Sequence, residues 1–208
     1  MNSTIPIFPL NLVMYPGAVY PLHIFEERYK KLIHWCKSND TGFGIVSKID
    51  TTISTIGCYV EVIEVINIFE NGSMDILIRS RERFQTVSTN LHEHGYITAN
   101  VVPYLDDVQY IQPTALEGET VSKFKGILER TEIQFDNKYW TNFDRSTFKS
   151  FKIAEKSGMN LKQQQSLLSL RSESDRLKFL FEHFRKLEEY LDRTEVLKDI
   201  ISGDGYIN

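Results

Sequence analysis

The stretch PIFPLNLVMYPG, residues 6–17, determines how the rest of the chain is interpreted. It holds three prolines and many large apolar side chains but no charge. Proline removes a backbone donor, and a membrane-spanning helix needs roughly 20 consecutive apolar residues. Because prolines recur and charged residues follow from Glu26, the stretch is predicted to belong to the folded protein. We expect a short edge strand over residues 6–10 and a turn at Tyr15-Pro16-Gly17.

The composition of the 208 residues, with 41% apolar and 25% charged side chains, is typical of a globular protein. The formal net charge of −4 arises within residues 1–110, so no overall positive field favours nucleic acid or an anionic membrane. The first four residues carry no basic side chain, so no secretory leader is predicted. Cys36 and Cys58 form no CxxC motif, which favours a cytoplasmic protein with reduced thiols.

Residues 18–105 combine strand patterns with one early helix. Strands are predicted at residues 18–24, 42–47 and 96–105, where apolar residues lie between turn-forming residues. Helical spacing predicts a helix with one buried face, carried by Phe25, Tyr29, Leu32, Ile33 and Cys36.

A β-hairpin is predicted around Asn71-Gly72, because this dipeptide lies between two β-rich runs. A two-residue turn would pair Val65 with Ile78 and Glu64 with Arg79 across the strands. In that register the core face would carry Ile63, Val65 and Phe69.

After residue 110 the apolar spacing becomes helical, and Asn160-x-x-Gln163 is typical of a capping pair at a helix start. Strands first and helices afterwards indicate an α+β fold, with a boundary near residues 106–113. We therefore predict a β-rich domain over residues 1–110 and an α-helical subdomain over residues 111–208.

Residues 5–33, IPIFPLNLVMYPGAVYPLHIFEERYKKLI, resemble the signature of the Lon protease amino-terminal domain, also called the Lon substrate-binding domain. The resemblance continues in RERF at residues 81–84 and in residues 161–180. It implies a β-rich, PUA-like pseudo-barrel followed by a helical bundle. In full-length Lon proteases this region precedes an ATPase and a serine-lysine peptidase, and the domain is implicated in recognising unfolded polypeptide.

No catalytic function is expected from the sequence. A G-x-x-x-x-G-K-[ST] phosphate-binding loop is absent, and no stretch matches the peptidase module. We expect a stand-alone, non-catalytic module with no catalytic residues, no cofactor and no metal site.

The function that the resemblance implies is binding of unfolded or extended polypeptide, in the role of an adaptor in protein quality control with a protease or chaperone as partner. Some of the three residues Phe8, Met14 and Tyr15, the candidates for polypeptide binding, are expected to remain exposed beside a groove, where an apolar patch would mark an interaction site. Tyr104, just after the last predicted strand, is expected to complete the wall of that polypeptide-binding surface.

Two other function classes remain open at this point. An RNA-binding PUA-like module would use the alternating Arg79, Arg81 and Arg83 as a basic stripe, although the acidic balance of residues 1–110 makes nucleic acid an unfavoured partner. A hydrolase would need a site that the sequence does not reveal. Asp106-Asp107 has no second catalytic group, and His92-Glu93-His94 lacks the spacing of a zinc site, so both are interpreted as solvated loops.

Overall fold

The computed structural model describes residues 3–107 and 114–203, and it confirms the α+β fold class. Within those residues the chain forms six strands and six helices. In chain order they are β1 Ser3–Leu10, β2 Val19–Ile24, α1 Glu27–Ser38, β3 Phe43–Ile49, β4 Thr52–Ile68, β5 Met74–Leu91, β6 Ile97–Pro103, α2 Thr114–Arg130, α3 Asn137–Arg145, α4 Lys149–Ala154, α5 Leu161–Leu168 and α6 Glu173–Gly203.

The strands form one sheet in the order β2-β5-β4-β3-β1-β6, and β5 also pairs with β6. This second pairing closes β5, β4, β3, β1 and β6 into a barrel, with β2 added to the first half of β5. Only β1 and β3 run parallel among the pairs of this sheet. The barrel interior is filled by the buried side chains of Ile5, Ile7, Val46, Phe84, Ala99 and Val101.

The prediction that residues 6–10 form an edge strand is wrong, because β1 has neighbours on both sides. It pairs with β6 over Ser3–Ile7 and with β3 over Ile7–Leu10. Pro6 therefore lies where only β6 is paired, and Pro9 where only β3 is paired. A missing donor is tolerated in such half-paired positions, which is how an interior strand can contain two prolines.

The predicted turn and first helix are confirmed, with one exception. Ala18 N–H donates to the Tyr15 carbonyl at 3.1 Å, and Gly17 takes the positive φ of 80° that a turn of this type needs at its third residue. The helical stripe buries Tyr29, Leu32, Ile33 and Cys36. Phe25, in contrast, precedes α1 and is 64% exposed.

The chain divides into two compact units. The first contains the six strands, α1 and residues 159–171 with α5, and the second contains α2, α3, α4 and α6. The boundary predicted near residues 106–113 falls mostly on residues 108–113, which lie outside the described residues. The division at residue 110 stays a prediction. Residues 159–171, which that division places in the helical subdomain, belong to the first unit in the structure.

Hydrogen bonds explain why α5 belongs to the first unit. Ser47 Oγ donates to Gln165 Oε1 at 2.6 Å, and Gln165 Nε2 donates to the Ile56 carbonyl at 3.1 Å. The Tyr15 hydroxyl donates to the Gln164 carbonyl at 3.2 Å. The predicted cap of α5 is confirmed, since Asn160 and Gln163 exchange side-chain-to-backbone hydrogen bonds in a capping box.

The second unit is built on the packing of α2 against α6 and contains a buried ion pair. Glu173 and Arg176, one turn apart at the start of α6, have fully buried side chains joined at 3.0 Å. Glu173 also accepts hydrogen bonds from the backbone N–H and the hydroxyl of Ser150 in α4. Phe151 lies under the Arg176 guanidinium at 4.4 Å from its ring centroid.

Glu132, just after α2, has a strained backbone that yields a first prediction. Its φ is 55°, and Ile133 N–H bonds back to the Leu128 carbonyl, so Glu132 occupies the left-handed position that glycine usually fills after a helix. Glu132→Gly is expected to raise the free energy of unfolding by about 0.5–1 kcal/mol, because strain relief exceeds the added chain entropy. Urea unfolding checks this, with Glu132→Ala as control. A loss of stability in the glycine variant would contradict it.

Candidate functional site

Three of the four residues predicted to bind polypeptide are buried, so their expected exposure is wrong. Phe8, Met14 and Tyr15 are exposed by only 6%, 1% and 2%. Phe8 stacks on Tyr29 of α1 with ring centroids 3.8 Å apart. Tyr15 is bonded to α5, which lies nearly 150 residues away in the chain and could not be anticipated from the opening stretch.

The fourth residue, Tyr104, is half-buried and helps to hold residues 159–171 on the barrel. Its hydroxyl donates to the Ser169 carbonyl at 2.8 Å, and the guanidinium groups of Arg83 and Arg171 lie 5.0 and 5.6 Å from its ring centroid. The four residues therefore do not form one open wall.

An exposed apolar surface lies instead on the hairpin of β4 and β5. In the second half of β4 polar residues recur every third position in the run EVIEVINIFE, residues 61–70. Glu61, Glu64 and Asn67 lie opposite Arg79, Leu77 and Asp75, so three residues of β4 match two of β5. This count places one extra residue in each repeat, which is the definition of a β-bulge.

The two extra residues are Ile63 and Ile66, and both are exposed, by 38% and 47%. The predicted pairs Val65–Ile78 and Glu64–Arg79 are therefore wrong, as is the assignment of Ile63 to the core. Ile78 lies opposite Val62, and Arg79 lies opposite Glu61. Each bulge shifts the register by one residue, so a register counted from the turn fails after the first of them.

The same half of β4 has a free edge. Its partner on one side is β5, whereas on the other side β3 pairs with β4 only up to Val60. Among the residues that the structure describes, none pairs with Glu61–Ile68 on that second side. Bulges on a free edge interrupt its row of donors and acceptors, which protects it from pairing with a regular strand.

The hairpin ends in a loop of five residues, Phe69–Ser73, rather than in the predicted two-residue turn. Phe69 N–H donates to the Ser73 carbonyl at 2.9 Å, and Gly72 takes a positive φ of 75°. Lys30 of α1 donates to the Asn71 carbonyl at 2.9 Å and ties the loop to the helix. The loop leaves Phe69 45% exposed, so its predicted place in the core is also wrong.

Aromatic side chains extend this surface on one side of the loop. The His23 ring lies 6.0 Å from Phe25 and 5.8 Å from Phe69, centroid to centroid. His23 donates to Asp75 Oδ1 at 2.7 Å, and this hydrogen bond, with a second one from Asn67, lowers the pKa of Asp75. A shallow cavity of about 470 Å³ opens here and is lined by His23, Phe69, Glu70, Asn71 and Ser73.

A second cavity lies between the hairpin and α1. Its volume is about 260 Å³, and its lining residues are Ile33, His34, Lys37, Ser38, Val65, Ile68 and Met74. Ile68 is 69% exposed at its rim. Two cavities thus flank one strand end that carries several exposed apolar side chains.

We call this region the hairpin-edge surface and define it by five exposed residues: Phe25, Ile63, Ile66, Ile68 and Phe69. Clustered exposed apolar residues of this kind mark interaction sites more often than isolated ones do. Sequence reasoning missed the surface because it assumed strict alternation in β4. The three-residue period of Glu61, Glu64 and Asn67 was the available signal for bulges.

The basic stripe considered for RNA binding does not form. Arg83 is buried, where it pairs with Asp106 and donates to the carbonyls of Leu168 and Leu170. Arg81 is exposed but bound to Glu61 at 2.6 Å. Arg83 is therefore not part of an exposed basic stripe. Asp106 is its ion-pair partner rather than a solvated loop residue.

The histidine cluster at residues 92–94 and the two cysteines make contacts that stabilise the fold. His92 stacks on Tyr96 at 4.3 Å in the turn between β5 and β6. In the described part of the chain, no three His, Cys, Asp or Glu side chains are arranged to hold a metal ion. Burial raises the pKa of both Cys36 and Cys58 to about 12, and their Sγ atoms donate to the carbonyls of Gly42 and Met14.

Comparison with protein families matches residues 4–186 to the ATP-dependent protease La (LON) substrate-binding domain. The match is to this domain and not to the ATPase or peptidase modules. A Lon protease of Flavobacterium johnsoniae is 23% identical over 220 aligned positions, which cover 96% of this chain and 26% of that protein. A Lon protease of Porphyromonas gingivalis is 27% identical over 93 positions, covering 40% of this chain and 11% of that protein. The chain thus spans only a minor part of either relative.

Solved structures show the same fold. A Lon N-terminal domain protein from Xanthomonas campestris has a TM-score of 0.67 and 23% sequence identity, covering 86% of this chain and 98% of that one. The N-terminal domain of a Mycobacterium avium complex Lon protease has a TM-score of 0.64 and 16% identity, with coverage of 88% and 98%. No helix in the described part of this chain is long and apolar enough to cross a membrane.

Proposed function

Because the chain belongs to the family of Lon substrate-binding domains, we propose that it binds unfolded or extended polypeptide through the hairpin-edge surface. The observation that carries this proposal is the exposure of Ile63 and Ile66 on the unpaired end of β4, which leads directly into the exposed Phe69 of the hairpin loop. An apolar segment that covers these side chains would remove their surface from water, which favours association by roughly 25 cal/mol per Å² of buried apolar area.

Side chains, more than backbone pairing, supply the affinity in this proposal. The bulges at Ile63 and Ile66 interrupt the edge hydrogen-bonding row, so a bound segment cannot continue the sheet over its full length. The cavities beside Phe69 and Ile68 offer additional space for apolar side chains of the segment. This arrangement favours low sequence specificity, since apolar contacts are non-directional.

The wider role that we propose is that of a non-catalytic adaptor in protein quality control. It would hold an unfolded polypeptide until a protease or chaperone takes it over, and we place this activity in the cytoplasm. Support for reduced surroundings comes from the two cysteines, both buried and free of disulfides.

A charge placed in the hairpin-edge surface tests the proposal. Ile66→Asp is expected to weaken binding of reduced, carbamidomethylated lysozyme, an unfolded client of net positive charge, about tenfold or more, because an apolar segment would have to desolvate the new carboxylate. Fluorescence anisotropy of the labelled client at constant ionic strength gives the dissociation constants of parent and variant.

The matched control is Ile53→Asp, because Ile53 lies on the same strand with nearly the same exposure, 43% against 47% for Ile66, but far from the hairpin loop. It is expected to bind the client like the parent. Equal affinities of all three proteins would refute the hairpin-edge surface as the binding site, and the absence of any binding by the parent would refute the function.

A further inference from the structure

The bulged strand sets the spacing of its exposed isoleucines. Three residues of β4 advance along the sheet as far as two residues of β5, as the pairs of Glu61 with Arg79 and Glu64 with Leu77 demonstrate. Two residues of an antiparallel strand span about 6.8 Å. Ile63 and Ile66 hold equivalent places in successive repeats, so their positions along the edge are separated by about 6.8 Å as well.

Among the regular backbone conformations, the extended strand matches this interval most closely. In an extended strand, residues two apart are separated by about 6.8 Å and point to the same side. A polyproline II segment presents equivalent side chains every three residues, at about 9.3 Å, which is too long. In an α-helix, residues four apart are separated by about 6.0 Å along the axis and are also rotated by about 40° relative to each other. An extended segment with apolar residues at alternate positions therefore fits best.

The charges of the edge strand indicate which residues of a bound segment should lie between its apolar positions. Residues 61–70 contain Glu61, Glu64 and Glu70 but no basic residue. Arg81 binds Glu61, whereas Glu64 and Glu70 are exposed and have no ion-pair partner among the described residues. Lys37 of α1 lines the cavity beside Val65 and Ile68 and supplies positive charge there. The exposed carboxylates of Glu64 and Glu70 therefore attract Lys or Arg in a bound segment and disfavour acidic segments, including the same edge of a second copy.

We propose that the edge of β4 selects extended polypeptide segments in which apolar residues alternate with basic residues. This inference rests on the proposed function and specifies which polypeptides the hairpin-edge surface takes. The apolar side chains lie against Ile63 and Ile66, and the basic side chains reach Glu64 and Glu70. Helical amphipathic segments and acidic segments bind less tightly.

Three labelled nine-residue peptides test this selection on the full chain. Two have the same composition of Leu and Lys, one in alternating order (KLKLKLKLK) and one with helical spacing (KLKKLLKKL). The third is the acidic counterpart of the first (ELELELELE). The alternating basic peptide is expected to bind about tenfold more tightly than either of the others, a difference that anisotropy titrations resolve.

Variants test separately the preference for alternating order and the preference for basic over acidic residues. Ile66→Ser is expected to remove the preference for alternating order, while Ile53→Ser retains it. The double variant Glu64→Gln, Glu70→Gln is expected to reduce the preference for the basic over the acidic peptide and to leave the preference for alternating order. Raising the salt concentration should reproduce the effect of the double variant, because it screens exposed charges.

The outcomes separate this inference from the proposed function. If the parent binds the three peptides equally while Ile66→Asp still weakens client binding, the selection is refuted and the function stands. If order and charge preferences exist but survive in Ile66→Ser and in the glutamine double variant, the selection is refuted for this edge. If the parent binds neither the peptides nor the unfolded client, both proposals are refuted.

Discussion

Arg176→Met is expected to lower the free energy of unfolding of the second unit by about 3–5 kcal/mol, because it leaves a buried carboxylate without its cation. Both side chains of the Glu173–Arg176 pair are inaccessible to solvent. The Arg176 Nε also donates to the Ser150 hydroxyl at 3.0 Å, so the substitution disturbs a connected network rather than one contact.

Urea unfolding followed by Trp140 fluorescence measures this effect in a Trp35→Phe background, because the chain has only two tryptophans and Trp140 lies in the second unit. Adding Glu173→Gln to Arg176→Met should recover at least half of the loss, since the amide removes the charge and keeps an acceptor for Ser150 N–H. Arg185→Met, an exposed arginine on the same helix, should change stability little. Comparable losses for Arg176→Met and Arg185→Met would contradict the prediction.

Arg83→Ala is expected to destabilise the first unit by about 3–5 kcal/mol, for a different structural reason. Arg83 joins three segments: it lies on β5, pairs with Asp106 after β6 and donates to the Leu168 and Leu170 carbonyls after α5. Alanine would leave the half-buried carboxylate and two carbonyl groups without their donor. Residues 159–171 should consequently separate from the barrel more easily.

Trp35 fluorescence in a Trp140→Phe background follows the first unit, because Trp35 lies on α1. Arg83→Lys should lose an intermediate amount, since an ammonium cannot reproduce the planar fork of the guanidinium. Arg81→Ala is the matched control: its exposed pair with Glu61 is expected to contribute at most about 1 kcal/mol. Faster proteolysis within residues 159–171 in Arg83→Ala alone would support the anchoring role. Equal effects at Arg81 and Arg83 would refute it.

Local features of this protein could be predicted because their causes lie within a few residues. The turn at Tyr15-Pro16-Gly17 follows from the fixed φ of proline and the free φ of glycine. The start of α5 follows from the capping box of Asn160 and Gln163, which satisfies two backbone donors locally. The buried face of α1 follows from the spacing of Tyr29 and its apolar successors.

The candidate site could not be predicted in the same way, because exposure depends on what covers a residue. Met14 and Tyr15 lie in an apolar stretch of a kind typical of binding surfaces, yet both are buried, and the Tyr15 hydroxyl is hydrogen-bonded to α5. Ile63 and Phe69 lie in a run suited to a core strand, yet β3 ends its pairing with β4 before it reaches them. In both cases the deciding partner comes from a distant part of the chain.

The sequence by itself determined the α+β class, the order of most elements, the turn and the cap, since short-range backbone preferences and apolar periodicity are sufficient for these. Only the tertiary structure decided that β1 is an interior strand, that Arg83 is a buried anchor and that α5 packs with the barrel. It also decided where apolar side chains stay exposed, at the bulged end of β4. The physical reason is that burial and strand pairing are properties of contacts between segments far apart in the chain, and local sequence does not specify which segments will meet.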